Sequence, residues 1–377
     1  MTIITHGCRS NLAERDALAS LAAAGTTVIN SCAVTAAAVA DARTAAVRAL
    51  KSGPVVVTGC AATVVPERFA GLDLRLLPNA DKLRPHAWGR NGHAPRVATR
   101  QSRGFVAVQD GCDHDCTFCV TRLARGASRS IPIAEVVAAV RGLGANEVVL
   151  TGIDTSSWGQ DLPGQPTLGA LVQAILTQVP ELPRLRLSSL DAAAHDPALI
   201  EAFSDPRLMP HVHLSLQSGD DLILKRMKRR HSRADAEKLV ARLKAVRPEI
   251  AIGCDLIAGF PTESEEAHRQ SLSLLESCDI VHAHIFPYSP RPGTAAARMP
   301  QQGPGIAKRR AAELRARSEE RHRGFLLGHV GRSVETISEG ARGLTPGYAT
   351  VRYAEPQPKG KLVRVVPGEC RDGVLLV

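Results

Sequence analysis

The chain has 377 residues, 44% of them apolar, which allows two or three domains around a substantial core and excludes an intrinsically disordered chain. Its formal charge of +10 favours a polyanionic partner, while a supply of only 7 Phe, 3 Tyr and 2 Trp excludes extended aromatic base stacking as the main recognition device. No apolar run approaches the roughly 18 residues of a membrane span and the N-terminus lacks a secretion-signal layout, so a cytoplasmic location is expected; there, nine cysteines point to metal or catalysis rather than disulfides.

In chain order, short β-branched runs at residues 3–4, 27–29 and 55–58 each lead directly to a cysteine: Cys8, Cys32 and Cys60. Ala-rich helical stretches such as 36–50 lie between them. Alternating strands and helices predict a parallel sheet, and strand ends in such a sheet share one edge, so the three thiols are expected to converge. Residues 84–103 are polar and rich in Pro, Gly and Arg, as suits a linker. A second α/β series follows, with strands predicted at 105–108, 147–151, 184–188, 211–216, 250–257 and 280–286 and helices at 132–141, 168–178 and 233–245. Six such strands predict a partial (β/α)6 barrel with its function at the carboxyl-terminal rim. A charged helix at 302–323 then gives way to short strands at 333–337, 347–353, 361–366 and 374–377, which predict a small β-barrel. The expected fold class is thus α/β: a three-layer flavodoxin-like or Rossmann-like domain over 1–90, the partial barrel over 98–326 and the small barrel over 327–377.

The strongest motif is Gly111-Cys112-Asp113-His114-Asp115-Cys116-Thr117-Phe118-Cys119, directly after the first barrel strand. Three thiolates at this spacing can hold three irons of a 4Fe–4S cluster and leave the fourth iron open. Zinc is the competing reading, with His114 as fourth ligand. Cys254, Cys278 and Cys370 match no ligand spacing and read as structural. No Walker loop or Rossmann fingerprint is present, Gly142-Leu143-Gly144 alone being a weak signal.

The Cys-x3-Cys-x2-Cys spacing, with the aromatic Phe118 before its last cysteine, resembles the radical S-adenosylmethionine superfamily. The resemblance implies that Cys112, Cys116 and Cys119 are the catalytic cluster ligands. The amino and carboxylate groups of S-adenosylmethionine would chelate the open iron, and an electron from the cluster would cleave the sulfonium to a 5′-deoxyadenosyl radical. Gly7-Cys8-Arg9-Ser10-Asn11, Ile29-Asn30-Ser31-Cys32-Ala33-Val34-Thr35 and Val57-Thr58-Gly59-Cys60-Ala61 extend the likeness to the methylthiotransferase family. That family joins a three-cysteine domain, a radical core and a terminal β-barrel called TRAM. It implies a second 4Fe–4S cluster on Cys8, Cys32 and Cys60 that delivers sulfur, and a cofactor pocket lined by Phe118, Thr151, Gly152, Ser188, Ser189 and Gln217. Read from the residues alone, those strand-end hydroxyls and amides equally suit backbone capping. The chain departs from the family pattern at Asp115 (often apolar there), near Arg122 (often proline) and at Thr262 (often glycine).

Within the family, Leu214-Ser215-Leu216-Gln217-Ser218-Gly219 and His284-Ile285-Phe286-Pro287-Tyr288-Ser289-Pro290-Arg291-Pro292-Gly293-Thr294 look most like the branch acting on N6-threonylcarbamoyladenosine at tRNA position 37. Isopentenyl-adenosine of tRNA or a ribosomal-protein aspartate are the alternative substrates, and a non-catalytic, zinc-stabilised RNA-binding protein is the alternative of another class. A carboxylate-bearing adenine needs a paired cation; Arg122, Arg125 and Arg291 are the candidates by position. The expected partners are the tRNA anticodon stem-loop, an electron donor of flavodoxin or ferredoxin type and a sulfur source, with no membrane contact and a monomeric enzyme. The basic runs 225–231 and 308–323 are expected to meet the RNA backbone.

Overall fold

In the N-terminal part, β1 (Thr2–Thr5), β2 (Thr27–Ser31), β3 (Val55–Gly59) and β4 (Arg75–Leu76) form one parallel sheet. A computed structural model describes residues 1–91, 97–98, 102–193 and 195–377, so residues 92–96 and 99–101 of the expected linker lie outside the described residues. Strand residues alternate between faces. Val28 and Val56 pack under Leu18 and Ala22, whereas Ile29, Val55 and Val57 pack under Val39, Ala42 and Ala46 of helix Ala36–Ala49. The sheet is therefore the middle of three layers, as expected. Its strand order β1-β2-β3-β4, however, lacks the reversal of a flavodoxin-like sheet. Because the helices flanking β2 lie on opposite faces while the order advances one way, the two crossovers differ in hand, and one is of the rare left-handed kind. The three cysteines thus follow three adjacent strands, roughly 4.8 Å apart, rather than meeting at a switch point.

The central part begins with β5 (Val97–Ala98), an antiparallel edge to β6 (Gly104–Ala107). The chain leaves the sheet after β6 so that β7 (Gln109–Asp110) can pair with β8 (Arg129–Ser130), and the cysteine loop is held between these two short strands. Next come β9 (Glu147–Thr151), β10 (Arg184–Leu187), β11 (Ser189–Leu190), β12 (His211–Gln217), β13 (Ala251–Ala258) and β14 (Ile280–Pro287). The segment from β10 to β11 changes partner at Ser188: β10 pairs with β9 and β11 with β12, all in parallel. One parallel series therefore runs from β6 to β14 as a partial barrel. Outward residues such as Val148, Leu150, Leu185, Leu214 and Ile252 join helices Ile133–Leu143 and Leu168–Gln178 in the largest apolar cluster.

Inward, apolar Phe105 and Val149 pack with Ala13, and polar residues occupy most of the positions around them. At the amino-terminal end of the barrel, Glu147 is paired with Arg184 and Arg186, each at 3.0 Å, and all three are fully buried. Three charges this far from water need complete satisfaction. Further donors are answered from outside the barrel: Arg184 Nη2 donates to the Leu344 carbonyl and Arg186 to those of Thr345 and Pro346, while Arg184 Nη1 has no partner among the described residues. The next residues of that loop bring Tyr348 against His211, ring centroids 4.7 Å apart, with Arg9 donating to its hydroxyl at 2.8 Å.

That loop belongs to the C-terminal unit. Helix Ile306–Leu327 packs along β14 and leads to β15 (Val334–Ser338), β16 (Arg342–Leu344), β17 (Thr350–Arg352), β18 (Leu362–Val365), β19 (Glu369–Arg371) and β20 (Val374–Leu376). These form one sheet in the order β18-β15-β16-β17-β20-β19. The sequence anticipated four of its six strands, β15, β17, β18 and β20, and missed β16 and β19. The expected strand at 347–353 starts only at Thr350, since Tyr348 adopts φ +73° in the plug loop.

Candidate active site

At the opposite, carboxyl end of the barrel strands lies a cavity of about 350 Å³, closed over by the N-terminal sheet. Cys8, Cys32 and Cys60 line it from one side; Phe118 and Cys119 of the cysteine loop, Gly152, Ser189, Gln217 and Asp255 line it from the barrel. The three N-terminal cysteines and Cys119 of the loop thus face one space, although more than fifty residues separate Cys60 from Cys112 in the sequence; Cys112 and Cys116 are not part of its wall.

Local chemistry explains why the thiols meet. Gly7 has φ +85°, and a Cβ there would lie 2.5 Å from Cys32 Cβ, so only glycine lets the Cys8 turn close on Cys32. Asn11, fully buried, donates to the carbonyls of His6 and Ser31 and so ties the ends of β1 and β2 together. Asn30 reaches back to the Asn11 carbonyl and to Glu14. In the other set, Gly111 has φ +78° and its missing Cβ would fall 1.9 Å from the Ala127 carbonyl oxygen, which packs the cysteine loop onto the turn before β8.

The thiols fit a metal-bound state. All nine cysteines are free of disulfides. Burial pushes the Cys32 thiol up to about 11 and the Cys112 thiol up to about 12, with the Asp154 carboxylate adding to the latter. Such groups hold their protons until iron replaces them. Each also receives an N–H suited to a thiolate: Val34 to Cys32 Sγ at 3.4 Å, His114 to Cys112 Sγ at 3.4 Å and Thr121 to Cys119 Sγ at 3.3 Å. His114 Nε2 lies 2.6 Å from Asp154 Oδ2, and with Cys112 the two form a group able to hold a metal ion. At the rim, Thr151 and Ser188 do not line the cavity; both are buried, and among the described residues their hydroxyl oxygens have no hydrogen-bond partner. Gln217 stands at φ +73°, a strained conformation for a side-chain-bearing residue and the kind that clusters at functional sites.

The three candidate arginines separate. Arg291 lines the cavity and donates to the Val34 carbonyl at 3.0 Å, bridging barrel and N-terminal sheet. Arg125 also reaches the wall, but its guanidinium is buried and committed to Asp110 at 2.6 Å, Glu14 at 3.3 Å and Asn11 at 2.5 Å; it docks the two units instead of offering a cation. Arg122 is exposed and not part of the wall. Sequence reasoning missed Asp255, which accepts from His213 at 3.0 Å and His284 at 3.2 Å. Burial opposes its charge, yet these two partners hold its carboxyl well below the usual range. The inward alternation along β12, β13 and β14 was the signal that could have found it.

In 308–323, Arg310 is buried on Glu263 and Arg309, Arg317 and Arg321 pair with Glu265, Glu276 and Asp279, while Lys308 and Arg323 are exposed. In 225–231, the chain forms the platform of the cysteine loop. Thr117 donates its N–H to Met227 and its hydroxyl to Arg226, and Lys228 pairs with Asp115 at 2.5 Å. Two of the departures from the family pattern, Asp115 and Thr262, are partners of this segment, Thr262 through Arg226 at 2.7 Å.

A parallel partial barrel with a three-cysteine loop over its carboxyl rim defines a radical S-adenosylmethionine enzyme, and residues 106–275 match the Radical SAM superfamily. The chain is 41% identical over 367 residues to the threonylcarbamoyladenosine tRNA methylthiotransferase MtaB of Rickettsia prowazekii (strain Madrid E), covering 89% of this chain and 87% of that one. It is 39% identical over 260 residues to the tRNA-2-methylthio-N(6)-dimethylallyladenosine synthase of Cereibacter sphaeroides (strain ATCC 17023), covering 68% of this chain and 58% of the relative. In fold it is similar to the cobalamin-bound radical S-adenosylmethionine methyltransferase TsrM from Kitasatospora setae, with a TM-score of 0.56 at 16% identity over 74% of this chain and 67% of that one. The chain belongs to the radical S-adenosylmethionine methylthiotransferase family, and it is accordingly an enzyme that uses S-adenosylmethionine and a 4Fe–4S cluster. Among the described residues, no helix is long and apolar enough to cross a membrane.

Proposed function

We propose that the protein places a methylthio group on C2 of N6-threonylcarbamoyladenosine at position 37 of tRNA. The observation that carries this reading is the single cavity that Cys8, Cys32 and Cys60 share with Cys119 of the cysteine loop. Cys112, Cys116 and Cys119 hold the catalytic cluster, and Cys8, Cys32 and Cys60 hold a second 4Fe–4S cluster across the cavity. Phe118, Gly152, Ser189 and Gln217 at the wall, with Thr151 and Ser188 behind it, bind S-adenosylmethionine. When bound, these groups supply the radical, the sulfur and the methyl group. The protein's own part is to close the cavity against water and to position the adenine between the two sets.

Substrate choice falls to Arg291, the cavity-wall arginine with spare donors, which pairs with the threonylcarbamoyl carboxylate. The substrate reading also draws support from the likeness to the Rickettsia protein, which extends over most of both chains. Residues 1–90, 98–326 and 327–377 act as cluster-bearing, radical and RNA-binding units. On the last, exposed Arg342 and Arg352 stand directly opposite each other in β16 and β17. Like charges so placed repel, and a phosphate between them relieves the repulsion. The anticodon stem-loop is then the macromolecular partner, with a one-electron donor and a sulfur source supplying the reaction.

The test offers reconstituted enzyme two anticodon stem-loops, one with threonylcarbamoyl-adenosine and one with isopentenyl-adenosine, and reads the nucleosides by mass spectrometry. Methylthiolation of the first is expected. Arg291→Met should raise KM for it at least tenfold with little change in kcat. Product from the isopentenyl substrate alone would overturn the assignment.

A further inference from the structure

The three thiols of the cysteine loop are not held alike. Cys112 and Cys119 each take an N–H from the backbone two residues on, as the loop's own winding provides. Cys116 instead faces a side chain from a different part of the chain: Arg229 Nη1 lies 3.5 Å from its Sγ. That guanidinium is fixed from the other side, Nη2 donating to Asp191 at 2.9 Å and to the Ser215 carbonyl at 2.8 Å. Asp191 is itself buried, with His231 3.5 Å from its other oxygen. The segment carrying Arg229 also docks the cysteine loop through Thr117, so the distance from guanidinium to thiol is set by backbone contacts on both sides.

We propose that Arg229 is a positioning residue that fixes the reduction potential of the cluster on Cys112, Cys116 and Cys119. This rests on the reading of those cysteines as its ligands. A cation hydrogen-bonded to a ligand sulfur stabilises the form carrying one more electron, and outer partners of this kind tune clusters through charge and N–H···S contacts. Asp191 acts in the opposite sense: it anchors Arg229 and offsets part of its charge. The pair sets the potential between the value given by a bare cation and that given by no charge at all.

The experiment is a redox titration of the reconstituted full-length enzyme, followed by the electron paramagnetic resonance of the reduced cluster that responds to added S-adenosylmethionine. Arg229→Gln should lower the reduced-to-oxidised ratio at a fixed applied potential about tenfold, a fall in midpoint of about 59 mV for one electron. Arg229→Lys keeps the charge and should stay within about threefold of the parent. Asp191→Asn removes the offsetting charge, so its midpoint should rise. If Arg229→Gln fails to assemble the cluster, Asp191→Asn decides alone. A loaded Arg229→Gln enzyme with an unchanged midpoint, or an Asp191→Asn midpoint that is unchanged or falls, would overturn the proposal. Cys116→Ala separates the two levels: if it keeps the S-adenosylmethionine-responsive signal, the ligand reading itself is wrong, whereas loss of that signal leaves the charge effect to be judged on Arg229 and Asp191.

Discussion

Two glycines decide where the thiols can stand, and each serves one set. A Cβ at Gly111 would enter the Ala127 carbonyl at 1.9 Å, and its positive φ adds roughly 1–2 kcal/mol for any other residue. Gly111→Ala should therefore displace the cysteine loop, halve the iron content and abolish S-adenosylmethionine cleavage. Gly7→Ala acts on the other set, pushing Cys8 from Cys32. That variant should also lose about half the iron, yet continue to cleave S-adenosylmethionine while forming no carbon–sulfur bond. Iron assay and 5′-deoxyadenosine yield, measured side by side, check both; cleavage abolished in both variants alike would contradict separate sites. At this scale much was legible. Gly7-Cys8 and Gly111-Cys112 stood out in the sequence as motifs, although Cys8 is exposed and Cys112 only half-buried. The docking role of Arg125 was not visible there, since its commitment to Asp110, Glu14 and Asn11 depends on how two distant segments dock.

The barrel strands β12 and β14 carry a second consequence, through histidines that stay neutral inside. Burial, with the neighbouring His284 and His322 adding to it, pushes His282 down to about 4; burial and the Arg186 cation push His211 well below its ordinary range. In the unfolded chain both titrate near 6.5. The unfolded state therefore binds more protons than the folded one between about pH 4 and 6.5, and stability falls as pH drops through that window. Each histidine contributes a slope of up to about 1.4 kcal/mol per pH unit. Urea unfolding at pH 7 and pH 5 should show the loss, and His282→Gln should flatten it; an equal acid loss in that variant would assign the effect elsewhere. At the scale of elements the sequence was a good guide to β6, β9, β10, β12, β13 and β14, whose apolar outward faces alternate cleanly. On helix Ile306–Leu327 it showed a dense run of Arg and Lys, but not the pairing of part of that run with the helix Glu265–Ser277 alongside it.

For the whole molecule, the plug at the barrel base makes the C-terminal sheet part of the core. Deleting residues 328–377 strips Arg184 and Arg186 of the Leu344, Thr345 and Pro346 carbonyls while leaving both deep in the barrel. Each unsatisfied buried donor costs about 1–3 kcal/mol, more when charged. The truncated protein should therefore melt well below the parent or fail to fold, and a truncated protein with parental Tm would refute the plug. Reversing the exposed pair, Arg342→Glu with Arg352→Glu, is the cleaner probe of RNA binding. It should leave Tm within a few degrees, weaken binding to the stem-loop and lower the salt slope by about one for each phosphate no longer neutralised. The plug was invisible beforehand because β16 is three residues long and the loop that follows it shows no periodicity.

The contact between Arg9 and Tyr348 joins the first helix of the chain to its last sheet. These partners are 339 residues apart, so a ribosome makes the first long before the second. Throughout synthesis, then, Glu147, Arg184 and Arg186 sit at an open barrel base, in reach of water, and the N-terminal cysteines have one anchor fewer. The native enclosure closes only when the plug loop has emerged. The two ends of the barrel are thus sealed by different parts of the chain, the base by the plug loop and the rim by the N-terminal sheet.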